Sequence, residues 1–231
     1  MPLAKTLKKS VVLVSGGLDS AVTAAVAKAA GRVAFMHANY GQRTETRELK
    51  AFSAIADHYG VKERLVVDLG FLRDIGGSAL TDKTIAVPKG LPKAKKTPMV
   101  PVTYVPFRNA ILLSIATSWA EAIGAMAVYI GAVEEDSSGY PDCRKKFIDG
   151  FNRVVALGTR PETRIRIKSP LIRLRKSAIV KKGVKLKAPL HLTWSCYTDS
   201  ELACGECESC FLRLRGFEEA GESDPISYKR R

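Results

Sequence analysis

No apolar run in this sequence is long enough to cross a bilayer. The first ten residues are basic, and the run behind them holds only Val11 to Val14 before polar residues resume. That is too short for a secretory leader or a membrane span, so cytoplasmic residence is the default expectation. Acidic residues are also in deficit, 23 Asp and Glu against 37 Lys and Arg, for a formal charge of +14. Lys5, Lys8 and Lys9, the stretch Lys89 to Lys96, the run Lys181 to Lys187 and the end Lys229-Arg230-Arg231 carry much of the excess. Aromatics are not interleaved with these basic residues. The charge therefore reads as solvated surface, or as a field that concentrates ATP and other anions, before it reads as an RNA-binding stripe. At 231 residues the chain has room for one α/β domain with a small appendage and no second full domain.

The stretch that is present and informative is VVLVSGGLDS, Val11 to Ser20. Four apolar residues, three of them β-branched, predict a central parallel strand, and the Ala-rich segment Ala21 to Ala30 predicts a helix. Between them, Gly16 and Gly17 permit a tight turn in which backbone N–H groups approach a phosphate, and the first helical turn adds partial positive charge. Ser15 and Ser20 can donate hydroxyl hydrogen bonds to the same anion. The loop lacks the lysine that follows the second glycine of a Walker A sequence. It carries Asp19 instead, a carboxylate that phosphate would repel unless a cation lay between them, which predicts a Mg²⁺ ligand. A plain serine-glycine turn with an Asp helix cap is the competing reading, and the order strand, glycines, Asp, helix weighs against it. The segment resembles the PP-loop of the ATP pyrophosphatase superfamily, which implies ATP on Val14, Ser15, Gly16, Gly17, Leu18, Asp19 and Ser20 and transfer of AMP to a substrate oxygen.

Downstream, strands are expected over Arg32 to Tyr40, Arg64 to Leu69, Ala125 to Gly131 and Arg164 to Lys168. Helices are expected over Gly41 to Tyr59, from Asn109 through Ile123, over Phe147 to Leu157 and over Lys176 to Gly183. Repeated strand-then-helix order predicts an α/β fold with a doubly wound, mostly parallel sheet. His37 reads as a packed residue. Gly70 to Pro101 reads as irregular, and a loop of that length suggests a lid over the nucleotide. Arg108 and Asn109 fall at a helix start, where side chains reach a phosphate or a base, although a surface charge and a helix cap explain them equally well. Asp142 can accept from a purine-like amidine edge and Arg144 can hold a carboxylate. Cys143 beside them reads as an unreactive packed thiol, since no base partner is visible.

Four of the five cysteines, Cys196, Cys204, Cys207 and Cys210, follow a C-x7-C-x2-C-x2-C spacing. Such spacing suits four thiolates around Zn²⁺, with no position open for chemistry, so the metal would be structural. An iron–sulfur cluster competes, and disulfides do so less well in a cytoplasmic chain. The division expected is 1–188 for an ATP-binding α/β domain and 189–231 for a zinc-binding segment, docked by Phe211 to Phe217.

Five segments in order, SGGLDS at 15–20, VPFRNA at 105–110, SGYPDCR at 138–144, TWSCY at 193–197 and CGECESC at 204–210, closely resemble the 7-cyano-7-deazaguanine (preQ0) synthase family. Departures are Glu134-Glu135 with Ser137, where the family has Asp-Tyr-Ser, and Lys145-Lys146, where it has Pro-Glu. The resemblance implies a ligase forming carbon–nitrogen bonds, which converts 7-carboxy-7-deazaguanine and ammonia to the nitrile for queuosine or archaeosine. It implies structural Zn²⁺ on the four cysteines, with ATP as co-substrate and Mg²⁺. Asp19 and Arg108 would be catalytic, and Asn109, Asp142, Cys143 and Arg144 would contact substrate. Removing both carboxylate oxygens requires each to be adenylated, hence two ATP and an amide intermediate. No glutaminase signature is visible, so free ammonia or a separate donor is implied. No membrane and no nucleic acid is required, and a homodimer is compatible with the sequence. Two alternatives are a PP-loop enzyme that adenylates a base in tRNA, and a non-catalytic zinc-knuckle nucleic-acid-binding protein.

Overall fold

The computed structural model describes residues 8–90, 100–134 and 139–229. Lys5, the lysines at 93–96, Glu135, Ser137, Ser138 and the final two arginines lie outside the described residues.

Five parallel strands form one sheet in the order β3-β2-β1-β4-β5: β1 (Lys9–Leu13), β2 (Arg32–Asn39), β3 (Arg64–Asp68), β4 (Ala127–Tyr129) and β5 (Arg166–Lys168). β1 lies at the centre, with Val11 opposite Ala34 on one side and Val128 on the other. Strand alternation divides its side chains between two cores. Val11 and Leu13 pack with Leu113, Ala116 and Ala120 of α4 (Arg108–Ala122) and Ile148 and Val155 of α5 (Lys145–Gly158). Val12 and Val14 face Ala21 and Ala24 of α1 (Leu18–Ala30) and Phe52 and Ile55 of α2 (Glu45–His58). Val11 and Val12 are fully buried, and removing such side chains from water stabilises by about 1.5–3 kcal/mol each. Helices on both faces make the sheet doubly wound, as expected.

The strand order reverses between β1 and β4, whose carboxyl ends diverge to leave a crevice. The end of β1, the start of α1, the end of β2 and the start of α4 all open onto it.

Two expectations need correction. Gly41 does not open α2; it takes φ 75° in a turn, and its N–H donates to the Glu45 carboxylate at 2.9 Å, so the helix starts at Glu45. The stretch from Gly70 is not wholly irregular, because Phe71–Ile75 form the short helix α3. The Arg43 guanidinium then donates to the carbonyls of Ala79 (2.7 Å), Asp82 (2.9 Å) and Ile85 (2.6 Å), pinning that part of the loop to the body.

The chain closes with α6 (Lys176–Lys185) and α7 (Glu208–Ala220). Ile179 and Val180 of α6 and Phe217 of α7 bury against Leu18 and Val22 of α1. Arg213 of α7, 1% exposed, holds Asp224 through Nε and Nη2 at 2.8 and 2.9 Å and donates from Nη1 to the Thr193 hydroxyl at 2.7 Å. That pair ties both ends of the C-terminal segment together. No helix among the described residues is long and apolar enough to cross a membrane.

Candidate active site and metal centre

The crevice is a cavity of about 300 Å³ whose floor is the loop after β1. Gly16 takes φ 90°, and a Cβ there would meet the Glu48 carbonyl oxygen at 2.7 Å, so both conformation and space demand glycine. Gly17 is the N-cap of α1 and no side chain caps the helix, leaving its first N–H groups for a ligand. The Gly17 N–H donates to Ser15 Oγ (3.3 Å), while Ser20 Oγ donates to the Gly17 carbonyl (2.9 Å) and accepts from the Ser15 hydroxyl (3.2 Å). From outside, the Trp194 N–H donates to the Gly16 carbonyl at 2.8 Å, so the C-terminal segment holds the loop's shape. His37 lies beneath, buried, with Nδ1 donating to the Val14 carbonyl at 2.9 Å; burial lowers its pKa and keeps the ring neutral. It is the packed residue expected.

Asp19 projects from the first turn of α1 and meets Lys176, the first residue of α6, whose Nζ lies 2.8 and 2.7 Å from the two carboxylate oxygens. The Lys176 stem runs over Gly216 of α7; a Cβ there would sit 2.3 Å from Lys176 Cγ. The position reads as an ordinary helical lysine in the sequence, and nothing local marks it as a cavity residue. Only the packing of α6 and α7 against α1 brings it to Asp19.

The opposite wall is built by α4 and the end of β2. Phe107, at φ 55°, turns the chain in the left-handed region, and the next residue, Arg108, begins α4. Arg108 Nη1 donates to Tyr40 Oη at 2.8 Å and the guanidinium lies over the Tyr40 ring, while its buried Nε has no hydrogen-bond partner among the described residues. Burial works against the Arg108 charge, yet Tyr40, Tyr140, Cys143 and Asp142 around it hold its pKa above the ordinary value. Burial pushes the Tyr40 phenol up to about 12. A guanidinium with a free, desolvated N–H at a cavity wall is suited to a carboxylate or phosphate oxygen.

Glu48 completes this wall, at a position that no local sequence pattern singles out. Its Oε1 accepts from Thr44 Oγ1 at 2.8 Å and its Oε2 from Gln42 Nε2 at 3.2 Å. Burial raises its pKa to about 7, against the opposing pull of those hydrogen bonds and of Arg108.

The remaining predicted contacts separate. The Asn109 N–H donates to Asp142 Oδ2 (3.0 Å), and its Nδ2 donates to the Asp142 carbonyl (3.2 Å) and to Cys143 Sγ (3.3 Å). Asn109 and Asp142 are buried and hold one another. Asn109 and Cys143 line the cavity, whereas Asp142 and the exposed Arg144 do not. Burial, followed by the Asp142 carboxylate, pushes the Cys143 thiol up to about 11, which keeps it protonated near neutrality and unsuited as a nucleophile. Glu134, one of the departures noted above, accepts from the Lys145 N–H at 3.1 Å at the start of α5.

Behind Trp194 the four cysteines converge. The Sγ atoms of Cys196, Cys204, Cys207 and Cys210 all lie within 4.8 Å of one another, a spacing close to the roughly 3.8 Å edge of a tetrahedron with 2.3 Å metal–sulfur bonds. Backbone N–H groups of Asp199 and Cys204 donate to Cys196 Sγ and those of Glu206 and Cys207 to Cys204 Sγ, at 3.3–3.4 Å. Such donors stabilise thiolates, so the donor set fits a thiolate-bound metal ion. The cluster shares a core with Trp194 and Ala51 of α2, which couples it to the floor of the cavity.

Comparison with known proteins identifies the family. The profile of the family described as "Queuosine biosynthesis protein QueC" matches residues 9–221. A 7-cyano-7-deazaguanine synthase of Chlorobium phaeobacteroides is 57% identical over 228 residues, covering 96% of this chain and 98% of its own length. That of Nautilia profundicola is 54% identical over 226 residues, covering 97% and 100%. Among solved structures, NMN synthetase from Francisella tularensis superposes with a TM-score of 0.48 at 13% identity, over 95% of this chain and 79% of that one. With a profile match over nearly the whole chain and relatives more than half identical from end to end, the chain belongs to the QueC family of queuosine biosynthesis proteins.

Proposed function

We propose that the chain is an ATP-dependent carbon–nitrogen ligase that converts 7-carboxy-7-deazaguanine and ammonia to 7-cyano-7-deazaguanine, releasing AMP and pyrophosphate, on the route to queuosine or archaeosine. The observation that carries this reading is that the Ser15–Ser20 loop opens at the strand-order reversal onto the same cavity as Arg108. An adenylating enzyme needs an anion cradle and an acid-binding cation facing one another.

In this reading the loop N–H groups and the Ser15 and Ser20 hydroxyls bind the pyrophosphate end of ATP, and Arg108 orients the substrate carboxylate toward the α-phosphorus. Lys176, already an ion pair with Asp19, offers its ammonium to the departing pyrophosphate. Mg²⁺, if held by Asp19, neutralises phosphate charge. Asn109 and Cys143 lie beside the substrate, and Asp142 holds Asn109 in place. Zn²⁺ on Cys196, Cys204, Cys207 and Cys210 is structural, and residues 189–231 form the segment it organises. The enzyme works on small molecules in the cytoplasm, with no nucleic acid required.

Purified, zinc-loaded protein incubated with 7-carboxy-7-deazaguanine, ammonium, Mg²⁺ and ATP is expected to yield nitrile by mass spectrometry, with two AMP per nitrile. ADP and phosphate without AMP would refute adenylation. Turnover that appears only with tRNA would move the substrate to RNA.

A further inference from the structure

We propose that Glu48 is the ammonium-binding residue of this enzyme and the base that converts ammonium to nucleophilic ammonia in the amide-forming step; the assignment rests on the function proposed above. Glu48 lines the cavity that also holds the loop after β1 and Arg108. Its main chain is fixed there, because its carbonyl lies against Gly16 with no room for a Cβ between them. Its only hydrogen-bond partners among the described residues are the uncharged Thr44 hydroxyl and Gln42 amide. No Lys, Arg or His among the described residues forms an ion pair with it.

Glu48 is half-buried, and a carboxylate withdrawn from water with no cation in direct contact is costly; natural proteins place such groups beside a cation or use them in chemistry. Asp224, by contrast, is buried with the bidentate Arg213 against it. At Glu48 the missing partner must be small, carry N–H donors and arrive through the cavity. The co-substrate nitrogen near neutral pH is ammonium, which meets all three conditions and cannot attack a carbonyl until it loses a proton.

The step balances as follows. Ammonium gives one proton to the Glu48 carboxylate and becomes ammonia. The nitrogen lone pair then forms the C–N bond to the acyl carbon, the C–O bond to AMP breaks, and its electron pair leaves on the AMP phosphate. The second surplus N–H proton passes to water, and Glu48 returns its own proton to water before the next turnover. The groups facing Glu48 set the charge it can hold: Arg108 from α4 favours the carboxylate, Glu45 on the same helix opposes it, and Tyr40 at the end of β2 stays neutral.

The test compares wild type with E48Q and E48D, using either ammonium or hydroxylamine as acceptor. Hydroxylamine is largely uncharged near neutrality and needs no deprotonation before attack, and the hydroxamate it forms also reports that the acyl adenylate was made. For E48Q, ammonium-dependent kcat/KM at pH 7 is expected to fall by roughly 100-fold, with the hydroxamate rate within a few-fold of wild type. The deficit should narrow as rising pH supplies free ammonia, and E48D should recover part of the rate. Equal loss with both acceptors, or full ammonium activity in E48Q, would overturn the assignment. A wild type that forms neither AMP nor hydroxamate would overturn the proposed function and this assignment with it.

Discussion

Lys176 Nζ lies within 2.8 Å of both carboxylate oxygens of Asp19, across 157 residues of sequence. The pair joins α6 to the first turn of α1 and places a fixed cation beside the loop after β1 in the cavity. Asp19→Ala is expected to abolish AMP release while leaving the thermal melt within a few degrees of wild type, because the pair is partly solvated and contributes about 1 kcal/mol or less. K176M should lower kcat by roughly 100-fold with a smaller change in the KM for ammonium. Steady-state kinetics beside a melt checks both; substantial activity in Asp19→Ala would remove that residue from the reaction.

Gly16 is the second point where the floor can be broken. In Gly16→Ala the new Cβ meets the Glu48 carbonyl at 2.7 Å in a backbone conformation of φ 90°. The cost should be about 1–3 kcal/mol, read as a shift in the denaturant midpoint, together with loss of ATP binding by calorimetry.

Glu48 also makes stability depend on pH. Its folded pKa of about 7 is raised above the ordinary carboxylate value, so the folded state binds the proton more tightly than the unfolded chain does. The contribution is full below the ordinary carboxylate range and is lost as pH rises to about 7. E48Q removes the charge, so at pH 8 it should be more stable than wild type by the order of 1 kcal/mol, with the difference gone at pH 4. Urea melts at the two pH values measure this and show that E48Q is folded for the acceptor test.

Removing metal should act on the floor from a distance. The cysteine cluster packs against Trp194, whose N–H holds the Gly16 carbonyl. A chelator, or Cys207→Ser, is expected to expose Trp194 and weaken ATP binding at least tenfold. Tryptophan emission in a Trp119→Phe background should shift to the red as metal leaves, and elemental analysis should find one zinc per chain before treatment and less afterwards.

Local patterns were sufficient for much of the architecture. The β-branched run at Val11 to Val14 and the alanines after it reported strand and helix directly, since a strand buried on both faces must be apolar throughout. The cysteine spacing likewise brought four thiols together, because ligands a few residues apart can converge by a local turn. Asp142 and Arg144 show the limit of such reading. Their residue types suit substrate recognition, yet one is buried against Asn109 and the other is exposed on the start of α5.

Lys176 and Glu48 mark what chain order conceals. Each lies on an ordinary amphipathic helix, where a charged residue usually means a solvated face. Glu48 became a cavity-lining acid because α2 lays its main chain against Gly16, and Lys176 became the partner of Asp19 because its stem passes over Gly216 of α7. The sequence by itself determined the parallel sheet, the glycine turn after β1 and the thiol cluster, all of which depend on neighbours close in the chain or on the periodicity of burial. Tertiary structure alone decided which charges face the cavity, because desolvation and ion pairing depend on distances between elements that no local pattern encodes.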